Sequence, residues 1–348
     1  KIIDEIKECG FAKGATYLPS NEYDIALANL KRGYNTRGYI RKIVGMYDMI
    51  SGKLGEEEAG RFFILREERG LLYPETAEVA QILQFDAIFR PMYDTRVKSV
   101  KRNRYIDFNQ GMDARLATDE NMKKLAEINI RPLRIAFDHY EQREIYCRAI
   151  RLAAKYGIKD LSNYLLYNFE DKPDDLYYRM RINVDLCEEL GVTIYSFPMK
   201  FHPIFDPEYF RNRDYIGTYW NRKFIRAIQA VLNSTKGKVG KGVSFFEEAF
   251  GRNIDEFHRL LWMPEEFIIF RRKYDANLRA RMADKYTNYT DDDCDLANEW
   301  WNEFCQLPEE KLAIVKGIIG KNKFGEGAYT GDDKQILRVL KYYQPHRN

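Results

Sequence analysis

No CxxC or CxxxC pair occurs in this sequence; its five cysteines stand far apart, at positions 9, 147, 187, 294 and 305. That scatter excludes the local ligand spacings of zinc and iron–sulfur sites within this chain. The four histidines, His139, His202, His258 and His346, form neither HExxH nor HxxxH, so a histidine metal centre is not expected. No run of twenty apolar residues and no signal-peptide pattern is present, and no membrane partner is expected. Neither charge sign is in large excess: the net charge of +3 argues neither for nor against nucleic acid. Together these absences predict a reducing, cytoplasmic setting.

What is present is apolar and regularly spaced. With 45% apolar and 31% charged residues, the 348-residue chain can bury a large core and form more than one subdomain. Between Arg104 and Ile204 lie four short apolar runs, Tyr105–Phe108, Leu133–Phe137, Asn163–Phe169 and Thr193–Phe197. One helix-like segment separates each from the next, a beat of about 30 residues that matches a βα unit. This predicts an α/β fold, with a parallel sheet and helices outside it.

Around that stretch the pattern is helical. Ile2, Ile3 and Ile6 share a face in a segment that ends at Gly10, a natural left-handed C-cap, which predicts a barrel helix over 1–10. The chain opens inside this helix with Lys1 in place of Met, and trimming upstream is expected. Over 11–100 the spacing predicts a helical insertion with helices at Tyr23–Leu30, Tyr39–Ile50, Ala59–Glu67 and Thr76–Tyr93. It reads either as a substrate lid or as a packing module, and the basic run Lys98, Lys101, Arg102 and Arg104 after it reads as a solvated linker.

Within 101–204, Thr118 is placed to cap a helix over Asp119–Ile128, and a second helix is expected over Glu144–Tyr156. Pro173 suits the first turn of a third, Asp174–Leu190, whose apolar face includes Leu176, Met180, Val184 and Cys187 and which stops at Gly191. Over 205–348 a helical domain is expected, with helices at Tyr215–Asn233, Phe245–Phe250, Asp255–Trp262, Glu265–Asn277, Leu296–Phe304, Glu309–Ile319 and Lys334–Tyr343, and a polar loop at Thr287–Asp293. Cys9, Cys147 and Cys187 read as packing residues.

Ser234–Ser244, STKGKVGKGVS, has the glycine spacing of a phosphate loop at Gly237 and Gly242. Val243 stands where that motif needs Lys, and the preceding segment is helical, so a basic loop capping a helix at Ser244 is the better reading. Its Lys236, Lys238 and Lys241 could still hold an anionic group.

In a parallel barrel the carboxyl ends of the strands form the active-site rim. Those positions hold Asn109, Gln110, Asp113 and Arg115 after the first run, Asp138 after the second, Asn168, Glu170 and Asp171 after the third, and Lys200 and His202 after the fourth. Turn-forming and helix-capping explain some of them, since Asp and Asn favour both. For His202 a pocket role and a loop hydrogen bond stand side by side. Polar clusters at four consecutive rims predict a binding site.

At these residues the chain resembles the later half of the radical S-adenosylmethionine (radical SAM) enzymes. YIDFNQGMDARLATDENMKKLAEINIRPLRIAFD is similar to that family's third strand, helix and fourth strand. NYLLYNFEDKPDDLYYRM resembles its fifth-strand segment and TIYSFPMKFHPI its sixth. The likeness covers 104–204, with 1–10 as the second barrel helix. Two departures stand out. Asn168 replaces a usual glycine, and the CxxxCxxC that binds a 4Fe–4S cluster in the family is absent.

The resemblance implies a partial (β/α) TIM-like barrel and a site for S-adenosylmethionine at its rim. It implies an iron–sulfur cluster in the complete enzyme, held by an upstream cluster-binding segment, and a 5′-deoxyadenosyl radical acting on an unknown substrate. On it, Asn109, Gln110, Asp113 and Arg115 would orient the methionine carboxylate or ribose, Asp138 would take a ribose hydroxyl, Asn168 and Phe169 would border the adenine, and Lys200 and His202 would face adenine or substrate. The competing expectation is a non-catalytic binding or assembly protein on a half-barrel scaffold.

Overall fold

The computed structural model describes residues 1–240, 242–281, 294–325 and 327–344. Lys241, the Thr287–Asp293 loop and His346 lie outside them. The chain divides into two compact units, one formed by Gly10–Tyr105 and the other by Lys1–Cys9 together with Ile106–Asn348.

The Gly10–Tyr105 unit is helical, with helices Glu22–Lys31, Thr36–Ser51, Glu56–Glu67 and Val79–Arg96. The first starts where Asn21 accepts the Tyr23 amide, satisfying an end donor that the helix itself cannot. Its core is aromatic: Tyr47 meets Phe89 edge-on at 4.5 Å between centroids, and Phe62 and Phe85 pack around them. Arg66 is buried beside these rings and donates to Asp48 at 2.7 Å and to the Leu71 carbonyl. Strand β1 (Thr16–Tyr17) pairs antiparallel with β2 (Arg102–Asn103), so the two ends of the unit meet. Arg102 is therefore a ladder residue, and the Arg104 guanidinium lies over Phe11 at 5.1 Å. Part of the expected linker is folded.

In the second unit, β3 (Leu133–Arg134), β4 (Asp160–Tyr167) and β5 (Thr193–Lys200) form a parallel sheet in that order. The first apolar run extends this order only through isolated parallel bridges, Ile106 to Ile130 and Met112 to Ile135. The reason is local: Asp107 accepts the Asn109 amide at 2.8 Å, and Asn109 sits at φ 55, so the chain turns within the run. No barrel closes among the described residues.

Helices Arg143–Lys155 and Pro173–Leu190 cover one face of this sheet, as the βα beat requires, and Gly191 ends the second in the left-handed conformation. Four polar side chains are sealed under them. Tyr146 donates to Asn183 at 2.7 Å, Asn163 donates to Tyr146 at 2.8 Å, and Asn183 donates to Ser196 at 2.7 Å. Satisfied in this way, they lock helix to strand register at little desolvation cost.

The sheet and the C-terminal helices share one hydrophobic core. The helix expected from Tyr215 starts at Arg222, because Asn221 accepts the Phe224 amide and the preceding residues turn toward the sheet. The one expected over Glu265–Asn277 is three pieces, Glu265–Ile269, Arg271–Tyr274 and Ala276–Arg281. Arg271 stands at the first break and donates to the Glu248 and Ala249 carbonyls. Ser244 is not a cap: the helix Val243–Phe250 begins after Gly242, at φ 114.

Lys223, 1% exposed in the first turn of Arg222–Ser234, has no hydrogen-bond partner among the described residues. Burial pushes its amine down to about 7. The unfolded chain keeps that proton to about pH 10.4. It therefore binds more protons than the native state above pH 7, and stability rises with pH across that window. Lys223→Met, close in volume, should remove this rise; urea unfolding at pH 7, 8.5 and 10 checks it, and equal slopes for variant and wild type would refute it.

Candidate functional site

The candidate site lies on the face of the sheet that the two covering helices leave open. Side chains alternate along a strand, so Asn163 and Ser196 point to the helices while Ser162 and Tyr164 of β4, and Tyr195, Phe197 and Met199 of β5, point the other way. Tyr164, Tyr195 and Met199 are exposed. Tyr164 packs on Phe197 at 5.8 Å, and the Arg134 guanidinium of β3 lies over Tyr164 at 5.6 Å. Arg134 also donates to Ser162 at 3.2 Å and to Asp107 at 2.7 Å. This ladder crosses from the first run to β5. Parallel sheets are normally covered on both faces, so a face with this much exposed aromatic surface is unusual.

At the carboxyl rim the expected residues fall into distinct settings. Asn109 and Gln110 are exposed on the turn after Asp107. Asp113 caps the short turn Ala114–Leu116 by accepting the Arg115 amide, and it also accepts from the Arg115 guanidinium through both oxygens, from Nε to Oδ1 at 3.0 Å and from Nη2 to Oδ2 at 2.6 Å. Arg115 holds the Asp113 carboxyl below the usual carboxylate range. Both are solvated, so the pair contributes little to stability and stays open to a ligand. Asp138 is exposed and joins the fold through its carbonyl, which accepts from Arg179 at 2.8 Å.

Asn168 lies in a different setting from the adenine-facing one expected of it. It is fully buried at φ 69, a conformation asparagine tolerates better than most residues. Its amide donates to the Tyr215 carbonyl at 3.1 Å and the Phe201 carbonyl at 3.4 Å, and its oxygen accepts the Gly217 amide at 2.9 Å. The side chain clamps the ends of β4 and β5 to segment 213–217. Phe169 is half-buried against Phe201, 4.4 Å between centroids. Lys200 donates to the Arg213 carbonyl at 2.8 Å, and burial, with Arg222 nearby, pushes its amine down. His202 is half-buried beyond it. The rim thus gathers Asn168, Phe169 and Lys200 around one segment, and Asp113 with Arg115 at another.

Arg179, Gly217 and Trp220 are rim residues whose place was not anticipated, and they join Asp171, which was. Arg179, wholly buried, donates to the Phe137, Asp138 and Leu166 carbonyls and meets the Asp171 carboxylate at 3.3 Å. Loss of water pushes Asp171 up and Arg179 down, yet each keeps its partner. Trp220 donates to the Asp171 carbonyl. A signal existed for Arg179: it falls on the apolar stripe of its own helix, between Leu176 and Met180, where an unpaired charge would not be tolerated.

The cysteines do not converge. Cys9 and Cys305 are exposed, Cys187 is buried, and among the described residues no three His, Cys, Asp or Glu side chains are grouped to hold a metal. A 4Fe–4S cluster therefore finds no ligand set in the described residues. None of the described helices is long and apolar enough to cross a membrane. No protein-family model, no curated protein and no solved structure matches the chain.

The clamp is testable. A Cβ on Gly217 would stand 2.3 Å from the Phe169 carbonyl oxygen. Asn168→Ala and Gly217→Ala should each cost about 1–3 kcal/mol, by unsatisfied buried amides and by overpacking respectively. Acting on one closure, their combined effect should fall short of the sum in denaturant unfolding; strict additivity would show two independent defects.

Proposed function

We propose that this chain is the S-adenosylmethionine-binding half of a partial TIM-like (β/α) barrel of the radical SAM type. The observation that carries the reading is the sheet. Parallel segments follow one another in chain order, helices cover one face, and the other presents the kind of polar and aromatic side chains that would line a barrel interior. The rim motifs quoted above support the same reading. On it, Asn109, Gln110, Asp113 and Arg115 bind the carboxylate and ribose of S-adenosylmethionine, Asp138 takes a ribose hydroxyl, and Phe169 and His202 border the base. Asn168 holds the rim in shape. The cluster ligands would have to come from a cluster-binding segment outside this sequence, and no step through the cluster is assigned to this chain's residues. A cytoplasmic setting belongs to the same proposal.

A non-catalytic binding or assembly scaffold is the second reading, favoured by Asn168, whose amide is engaged at both ends by the protein itself.

Isothermal titration of S-adenosylmethionine into the full chain tests the first reading. Binding is expected, and Arg115→Ala should weaken it roughly tenfold or more, the worth of one charge-assisted hydrogen bond. Absence of binding, or unchanged affinity in the variant, overturns the assignment. Anaerobic addition of a CxxxCxxC segment in trans, with an assay for 5′-deoxyadenosine, separates an enzyme half from a scaffold.

A further inference from the structure

The chain as a whole is nearly neutral, but its charge is not evenly spread. Beyond the carboxyl end of β5, two adjoining hollows of about 390 and 490 Å³ share Ile216, Arg222, Lys321 and Lys323 in their walls, forming one trough. Six cations line it: Lys200, Arg222, Arg226, Lys316, Lys321 and Lys323. Among the described residues no carboxylate lines either hollow. Two of the six are balanced from outside, Arg222 by Asp214 at 3.3 Å and Arg226 by Glu265 at 2.5 Å. Lys200 spends one donor on the Arg213 carbonyl, and Lys316 lies over Trp262. Four positive charges remain without a carboxylate within ion-pair distance among the described residues. Burial first, and the Arg222 guanidinium second, push the Lys200 amine down.

We propose that this trough binds the phosphodiester backbone of a single nucleic-acid strand. Repelling cations held together with no carboxylate among the described lining residues favour an anion, and a trough of two joined hollows suits a chain of anions better than a single one. Its floor is Ile216 and Ile225. The aromatic residue in the lining, Trp220, is 6% exposed with its ring packed on Tyr167 at 5.2 Å, so it offers no face for a base to stack on. Gly317, also in the lining, has nothing within 4 Å of where its Cβ would stand. Such a site reads charge and spacing, not base identity. The inference does not rest on the S-adenosylmethionine reading.

The test is fluorescence anisotropy of the full chain with labelled twelve-nucleotide oligo(U) and oligo(A), titrated from low to moderate salt. Both are expected to bind with similar affinity. Lys321→Ala with Lys323→Ala should weaken binding at least tenfold and flatten the salt dependence by about 1.4 in the log–log slope, about 0.7 per lost phosphate contact. Lys334→Ala with Lys341→Ala removes the same charge on an exposed face elsewhere and should leave both quantities unchanged. No binding, an equal loss in the two double variants, or binding of ATP without binding of either oligonucleotide would each overturn the proposal. Thermal melts of both double variants separate misfolding from loss of the contact.

Discussion

The buried guanidinium of Arg179 sits where the architecture is hardest to finish. At the carboxyl ends of β3 and β4 the ladder stops and backbone carbonyls lose their partners, in a largely buried place. Arg179 supplies donors to three of them, Phe137, Asp138 and Leu166, and faces the Asp171 carboxylate, all from within one helical turn of Asp175, whose carbonyl it also meets. Burying a charge is costly, and removing one member of such a set costs about 3–5 kcal/mol, because the remainder is left uncompensated. The inner part of the rim is attached to this point: Asp171 carries Trp220, Trp220 precedes the cap of Arg222–Ser234, and the clamp of Asn168 closes on the segment between them.

That chain of dependence explains why the rim combines order with exposure. The interior half, around Asn168 and Arg179, consists of polar groups whose partners are all protein. The exterior half, Asn109 to Arg115, is solvated, and its strongest contact is the ion pair between neighbours Asp113 and Arg115. Groups of the first kind define shape; groups of the second kind remain able to exchange water for a ligand.

Much of this organisation was legible in the residues. The strand beat located β4 and β5, Thr118 caps its helix as expected, and Pro173 and Gly191 bound the helix between them. The helices of the Gly10–Tyr105 unit were visible in the three- and four-residue spacing of apolar side chains. What the pattern could not carry was decided by one local turn and by contacts across long sequence separations. The first run looks like a strand in composition, but Asp107 and Asn109 turn the chain within it. Asn168 looks like a ligand at a rim, but its amide is engaged by Phe201, Tyr215 and Gly217, up to 49 residues away. Six trough cations come from three distant stretches of chain, and a net charge averages them away.

The antiparallel pair that joins Thr16 to Asn103 also has a topological meaning. A stretch of more than eighty residues leaves and returns at points one strand spacing apart, about 4.8 Å. To the rest of the polypeptide it is equivalent to a short turn. Such a module can be gained, exchanged or deleted between relatives without altering the path of the strands, so sequence divergence and length variation should concentrate there while the sheet keeps its spacing.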